Sequence, residues 1–232
     1  MDSLERLEEE IISCRRCRRL VSYRQKVAEK RPPRYREWNY WARPLPGFGD
    51  PQARVLIFGL APAAHGGNRT GRMFTGDRSG DLLIRTLYRF GFANQMRSEH
   101  REDGLALQDV YLTATLRCAP LQNKPSPSEM AACRRFLLRE LGLLKSARVW
   151  VALGRVAFHA ALNAFQETHQ VSISPKPAFG HGQVHSLAND YTLIASFHPS
   201  QQNTQTGRLT PKMFNSIFDE ARSILRKMKE VT

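Results

Sequence analysis

The segment RVLIFGL at residues 54–60 decides the fold class, because it is almost continuously apolar and has the length of a single strand. Three similar segments follow it in the chain: VYLTATL at 110–116, VWVALG at 149–154 and YTLIASF at 191–197. Strands that are buried on both faces of a parallel sheet have this composition. The sequence therefore predicts four central strands of a mainly parallel sheet.

Amphipathic helical patterns lie between and after these strands, at residues 80–90, 128–145, 155–165 and 211–229. The acidic, amphipathic N-terminus predicts one further helix. Such alternation of strands and helices predicts an α/β protein of one domain, a three-layer α/β/α sandwich that spans residues 1–232.

The basic, proline-containing stretch 26–46 is a candidate extension of this domain, and we predict a surface excursion packed through Trp38, Tyr40 and Trp41. The chain has no run of 18 apolar residues, which a membrane-spanning helix needs, and no apolar leader follows its acidic start. These features predict a soluble, intracellular protein.

The charge of the chain favours a polyanionic partner. Lys and Arg total 35 against 21 Asp and Glu, which gives a net charge of +14, and 27 of the basic residues are Arg. Arg suits phosphate and stacks on bases. Nucleic acid is the first expectation and an anionic membrane surface the second, while a generically basic protein without such a partner is the alternative.

Four cysteines fall in two groups: Cys14 and Cys17 form a C-x2-C pair, and 14 residues separate Cys118 from Cys133. In an intracellular protein this pattern favours metal ligands over disulfides. Zinc and an iron–sulfur cluster both accept four thiolates. The single C-x2-C pair and the neighbouring arginines favour a structural [4Fe–4S] cluster, with zinc as the alternative and four unrelated buried thiols as the non-functional explanation. A metal group here would tie the N-terminal helix to the segment after the second strand.

Two polar loops follow predicted strands, at the edge where α/β sheets bind ligands. The first contains five glycines between Gly66 and Gly80, an aromatic residue at Phe74 and a lone carboxylate at Asp77. Glycines let backbone amides approach a ligand closely, and Phe74 could stack on a flat base or pack beneath its own loop. Asp77 could be catalytic, cap the following helix, or do both.

The second loop starts at Ser196 and places His198 at the end of the fourth strand, followed by Pro and a run of polar residues. This position is unusual for a core histidine. A catalytic or binding role is the favoured interpretation.

Three short motifs carry a family resemblance: GLAPA at 59–63, GRMFTGD at 71–77 and HPS at 198–200. GLAPA and GRMFTGD together resemble the first of the two motifs of the uracil–DNA glycosylase superfamily, and HPS resembles the second. The spacing of the four cysteines is similar to that in the iron–sulfur branch of this superfamily. The resemblance covers residues 10–228 and is nearest to family 5 of bacteria and archaea. It implies a monofunctional DNA repair hydrolase that flips out uracil and cleaves its N-glycosidic bond.

The resemblance also implies roles for individual residues. Asp77 would orient water, His198 would stabilise the leaving base, and Asn123 would help to hold either of them. The flipped base would be bordered by Phe74, Gly59, Ala61 and Ala63. The DNA would be held by Ser200, Gln201, Arg208 and Arg78, with Arg69 and Arg72 as further phosphate contacts.

Two positions depart from the related iron–sulfur family 4. Leu60 stands where that family has an active-site Glu, and Ala114 stands where it has an Asn that reads the uracil edge. Both differences are typical of family 5, which accepts a wider set of deaminated bases. Hypoxanthine and xanthine are therefore expected substrates besides uracil, in an order that the sequence does not give.

A non-catalytic iron–sulfur module that binds damaged or single-stranded DNA is the main alternative, and the catalytic-type residues in both loops argue against it. A redox protein is disfavoured because no G-x-G-x-x-G follows a strand. The expected partner is double-stranded, and also single-stranded, DNA with deaminated bases. The protein is expected to be a monomer in the cytoplasm of a bacterium or archaeon, without a membrane partner.

Overall fold

Six strands form one mixed sheet in the computed structural model, which describes residues 2–230. The strands are β1 (Phe48–Gly49), β2 (Val55–Gly59), β3 (Val110–Ala114), β4 (Val149–Leu153), β5 (Val184–Ser186) and β6 (Thr192–Ser196).

The sheet has the order β1-β3-β2-β4-β6-β5. Its four central strands β2, β3, β4 and β6 are parallel and coincide with the four predicted strands, so the α/β/α fold class is confirmed. The predicted number of four strands is too low, because β1 and β5 pair antiparallel at the two edges. These edge strands have only two and three residues, too few for an apolar pattern.

Eight α-helices surround the sheet within residues 2–230: α1 (Leu4–Ser13), α2 (Arg18–Glu29), α3 (Gly67–Thr70), α4 (Arg78–Arg89), α5 (Pro127–Leu143), α6 (Arg155–His169), α7 (Gln201–Gln205) and α8 (Pro211–Glu230). The four long helices predicted after the strands are α4, α5, α6 and α8, and no end differs from its prediction by more than four residues. No helix in the described range is long and apolar enough to cross a membrane.

Side chains of the central strands alternate between two hydrophobic layers. Leu56 and Phe58 of β2 pack with α5 and α6 on one face, whereas Val55 and Ile57 pack with α4 and α8 on the other. Trp150 of β4 stands in the first layer, where its ring lies 5.0 Å from that of Phe58. These two layers hold the sheet between helices.

The N-terminal region contains two helices where the sequence predicted one. The helical conformation is interrupted between α1 and α2. The C-x2-C pair lies at this interruption, with Cys14 directly after α1 and Cys17 directly before α2. The predicted excursion 26–46 begins too early, because residues 26–29 still belong to α2. Tyr40 is buried as predicted, and α1 packs on α5.

The carboxyl ends of the central strands stand level with one another. Gly59 pairs with Ala114, and Leu153 pairs with Ser196. The loops that leave β2, β3 and β6 therefore meet at one edge of the sheet.

Candidate active site

A pocket of about 300 Å³ opens where these three loops meet. Each of the predicted catalytic and base-contacting residues lines this pocket, although they come from three separate parts of the chain: Gly59, Ala61, Ala63, Phe74, Asp77, Asn123 and His198. Ser200, Leu60 and Ala114 line it as well. The structure thus brings the predicted site together.

Phe74 forms one wall of the pocket against the end of β2. Its backbone has a φ of 50°, a left-handed conformation that is uncommon for a residue other than glycine. A Cβ on Gly59 would lie 2.7 Å from Cζ of Phe74, so the ring reaches this position only beside glycine. Phe74 also packs against the core, as one of the two interpretations predicts, while its stacking on a base stays a prediction.

Backbone amides border the pocket at the start of the first loop. Pro62 separates Ala61 from Ala63, and neither alanine N–H donates a hydrogen bond to any residue in the range 2–230. Both alanines are partly exposed in the pocket wall. These two donors are therefore free to meet the polar edge of a ligand.

Asp77 caps a helix and also lines the pocket, and its catalytic role stays a prediction. It is the N-cap of α4, where its Oδ1 accepts a hydrogen bond from the Gly80 N–H at 3.0 Å. Its second oxygen lies against Gly66, which has no side chain to displace it. Burial raises the pKa of the Asp77 carboxyl above its usual range. The group is therefore fixed, and it is a stronger base than an exposed aspartate.

Replacing Gly66 by Ala is expected to move this carboxylate, because the new Cβ would overlap Oδ2 of Asp77. A shift of about 1 Å at a catalytic group can cost on the order of 10² in rate, so the rate of the reaction that the family resemblance implies is expected to fall at least about tenfold. Gly142→Ala is the matched control, since its Cβ would meet no atom within 4 Å. Single-turnover rates of the two variants provide the measurement; equal rates would contradict this role of Gly66.

His198 follows β6 with its ring in the pocket. The Asn203 side-chain amide donates to the His198 carbonyl oxygen at 2.8 Å, and the His198 Cβ packs near Gly154. Burial lowers the pKa of His198 to about 4. The imidazole is therefore neutral at neutral pH, and its ring nitrogens have no hydrogen-bond partner within the described residues. They remain available for a ligand.

His181 supports the segment before His198 and was not anticipated from the sequence. Its Nδ1 accepts a hydrogen bond from the Phe197 N–H at 3.1 Å, and its Nε2 lies 3.2 Å from the Met213 carbonyl oxygen. Because an acceptor at Nδ1 leaves the proton on Nε2, the ring bridges β6 to α8 in one tautomer. A single His in an irregular segment carries no pattern from which this role could be found.

Asn123 lies at the exposed rim of the pocket. It ends a short 3-10 turn whose last two residues, Gln122 and Asn123, have φ values of 50° and 56°. Consecutive left-handed residues other than glycine are strained and concentrate at functional sites. The side chain of Asn123 is thereby presented to the pocket.

The predicted DNA contacts have different surroundings. Ser200 lines the pocket and caps α7, whereas Gln201 and Arg78 line a neighbouring groove. Arg208 is exposed, with its Cζ 4.7 Å from the ring centroid of Phe197. Arg72 is buried and pairs with Asp103, so it stabilises the loop and is not an exposed phosphate contact.

All four cysteines are free thiols that line one small apolar pocket between α2, α5 and the segment after β3. Arg24 Nη1 donates to Sγ of Cys118 at 2.9 Å, and the Arg117 N–H donates to Sγ of Cys133 at 3.3 Å. Among residues 2–230, no three His, Cys, Asp or Glu side chains already form an arrangement that holds a metal ion. The thiols share one pocket, but do not form a closed site for a single ion.

Arg24 is the main residue of this pocket that sequence reasoning missed. It is 3% exposed, and its Nε has no hydrogen-bond partner in the described structure. The sequence contains a pattern that could have indicated it: Cys17, Leu20 and Arg24 have the three- and four-residue spacing of one helix face, which places Arg24 on the same side as the cysteine.

Comparison with known proteins identifies the class that this fold and site define. The model of the uracil DNA glycosylase superfamily matches residues 46–222, so the chain belongs to that superfamily. It is 50% identical to the type-5 uracil-DNA glycosylase of Thermus thermophilus over 92% of this chain and 94% of that protein. Type-5 enzymes of Mycobacterium bovis and Pyrobaculum aerophilum are 48% and 44% identical over 91% of this chain, and over 78% and 88% of their own lengths. Within the superfamily, the chain therefore falls in type 5.

Proposed function

We propose that this protein is a DNA repair hydrolase that excises uracil from DNA and leaves an abasic site. The observation that carries this proposal is the meeting of Asp77, His198 and Phe74 in one pocket at the carboxyl edge of the sheet. The relatives at 44–50% identity are named for the same activity.

The reaction places positive charge on the deoxyribose and negative charge on the departing base. Each of the two loops provides one side chain that stabilises one of these charges. Neutral His198 donates a hydrogen bond to the carbonyl oxygen on which the charge of the base collects. The Asp77 carboxylate orients the attacking water and offsets the charge on the sugar. Asn123, at the rim, helps to hold the water or the base.

Base binding follows from the pocket walls. The target base must leave the duplex stack before its glycosidic bond can be reached. Phe74 then stacks on the extruded base, and the free amides of Ala61 and Ala63 face its polar edge. Ser200, Gln201, Arg78 and Arg208 contact the DNA around it.

The pocket also supports activity on hypoxanthine and xanthine. Leu60 and Ala114 line it with short or apolar side chains, so no fixed polar side chain at these two positions selects one base edge. A site that reads a base by hydrogen bonds rejects analogues far more strongly than an apolar site does. We expect broad acceptance of deaminated bases, in duplex and in single-stranded DNA, by a monomer in the cytoplasm.

A panel of duplexes, each with one deaminated base, tests this function, with abasic sites scored by strand breakage in alkali. Abasic sites are expected with uracil first of all, and also with hypoxanthine and xanthine. Binding of the same duplexes without any abasic product would favour the non-catalytic module instead. The uracil strand on its own is the probe for strandedness.

The four thiols fit a [4Fe–4S] cluster. Four thiolates are the ligand set of such a cluster, and the N–H groups of Arg24 and Arg117 already point to two of the sulfurs. All four thiols line one pocket, as the ligands of a single cluster must. The cluster would join the N-terminal helices to the sheet as one structural domain, without a step in the reaction.

Purified protein is therefore expected to be brown and to hold about four irons per chain, as a [4Fe–4S] protein does. Cys14→Ala should lower the melting temperature and the yield far more than the turnover of each folded molecule, because metal binding and folding are coupled. Ser13→Ala, one residue away on an exposed position, is the control. A colourless protein with one zinc per chain would contradict the cluster.

A further inference from the structure

An open groove of about 690 Å³ adjoins the catalytic pocket. The two share Ala63, Asp77 and Asn123, so they form one continuous surface. A nucleotide that is flipped into the pocket remains bonded to its strand, and that strand has to leave across the rim. The groove is one route that the strand can take.

Arg69 on the wall of the groove is a buried cation without an ion pair. It is 5% exposed; its Nε donates to the His65 carbonyl oxygen at 2.8 Å and its Nη2 to that of Gly76 at 3.0 Å. No carboxylate within residues 2–230 lies in ion-pair distance of it, and its Nη1 makes no hydrogen bond there. Buried guanidinium groups usually have an acidic partner. Arg69 keeps an unused donor, and Asp77 of the same groove interacts with its charge only beyond ion-pair distance.

Aromatic rings fix this guanidinium without neutralising it. Its Cζ lies 3.9 Å from the ring centroid of Trp38 and 4.2 Å from that of Tyr35. The exposed Arg34 stacks on Tyr35 too, at 4.8 Å. Such cation–π contacts hold a cation in place while leaving its edge free. His65 stacks on Tyr35, and burial together with Arg34 and Arg69 lowers its pKa, so the imidazole is neutral and adds no charge of its own.

The groove has three acidic residues as well: Asp77, Asp81 and Glu99. Asp81 interacts with Arg85, Arg78 and Glu99. Arg69 acts on Asp77, and both Arg34 and Arg69 act on His65 and Tyr40, so this part of the groove has two cations against one carboxylate. An anion is therefore expected in the part of the groove that holds Arg34 and Arg69.

We propose that this groove binds the target DNA strand on one side of the flipped nucleotide, with a backbone phosphate against Nη1 of Arg69 and the guanidinium of Arg34. This inference rests on the proposed function and adds a defined phosphate subsite to it. Charge-assisted bonds from guanidinium to phosphate are among the stronger hydrogen bonds, and they position a substrate without reading its sequence. The subsite would therefore anchor the strand whichever base is flipped.

Uncharged methylphosphonate linkages, placed one at a time within four positions on either side of a single uracil, test the subsite. At one of these positions, the methylphosphonate should raise the Kd of the unmodified enzyme for the DNA about tenfold, because one charge-assisted contact is lost. Arg34→Gln, an exposed change, should weaken binding of the ordinary duplex and lose most of the sensitivity at that position. Its plot of log affinity against log salt should flatten by about 0.9 for the lost phosphate.

Arg69→Gln should show the same loss of sensitivity, provided that its melting curve shows a folded protein; if it does not fold, Arg34→Gln decides alone. Arg226→Gln removes an exposed arginine from α8, away from the groove, and should retain the full pattern. Full methylphosphonate sensitivity in Arg34→Gln, or no sensitive position in the unmodified enzyme, would overturn the subsite. Failure of the unmodified enzyme to form abasic sites on the ordinary uracil duplex would instead overturn the proposed function.

Discussion

Asp77→Asn is expected to lower the single-turnover rate of uracil excision by on the order of 10²–10⁴, the usual effect of losing a catalytic carboxylate or base. The reason is that Asn is uncharged, so it neither activates water nor offsets the charge on the sugar. DNA binding should remain nearly intact, because Asp77 contacts no phosphate in this mechanism. A variant that cleaves at the native rate would show that Asp77 only caps α4.

The helix cap makes Asn the informative substitution. Asn and Asp are about equally good N-caps, so Asp77→Asn retains the bond from the Gly80 N–H, whereas Asp77→Ala loses it at a cost of about 1 kcal/mol. Both variants should lose excision, and only Asp77→Ala should also lose stability. Melting curves beside the kinetic measurement separate the two roles.

The dependence of rate on pH and on the base gives two further readouts of the same assignment. Because burial raises the pKa of Asp77, the carboxylate is lost at a higher pH than usual, so the acidic limb of the rate profile should lie above that of an exposed Asp and change in Asp77→Asn. Asp77 acts on the sugar, which all substrates share, so its loss should slow uracil and hypoxanthine alike. His198→Ala should slow them unequally, because their anions differ. Equal base dependence in the two variants would contradict this division, and Asn123 would become the candidate for placing the water.

Glu140→Ala is expected to destabilise the protein by about 3–5 kcal/mol, the cost of leaving a buried charge without its partner. Glu140 and Arg117 are each 1% exposed and form a two-pronged ion pair, with bonds of 3.1 and 2.7 Å. The Thr113 hydroxyl also donates to this carboxylate. Because Arg117 lies beside Cys118, the pair anchors the cysteine-bearing segment to α5.

Glu167→Ala is the matched control, since it removes a Glu from the exposed pair of Arg134 and Glu167. Exposed pairs contribute about 0–1 kcal/mol, so this change should be small. Urea unfolding of both variants measures the difference. A similar small loss in both would show that Arg117 finds water or another partner when Glu140 is removed.

The central strands and the meeting of the two polar loops could be predicted because each follows from local sequence. Four continuous apolar runs give the strands, and strands that end level bring Asp77 and His198 together. The remaining features depend on distant partners. Arg69 and Arg72 look alike in the sequence, yet Asp103 pairs with one, and aromatic rings hold the other. His181 likewise has a role only through the Phe197 backbone, to which no local pattern connects it.

The two edge strands that escaped prediction also affect how the molecule behaves in a crowded solution. A long, exposed edge offers a row of unpaired backbone groups onto which another chain can add as an extra strand, a common start of aggregation. Here β1 provides two residues at one edge and β5 provides three at the other, and each is antiparallel to its neighbouring strand. So short a template gives an incoming strand few hydrogen bonds. The central parallel strands, which are the most apolar part of the chain, are thereby shielded from edge-to-edge growth.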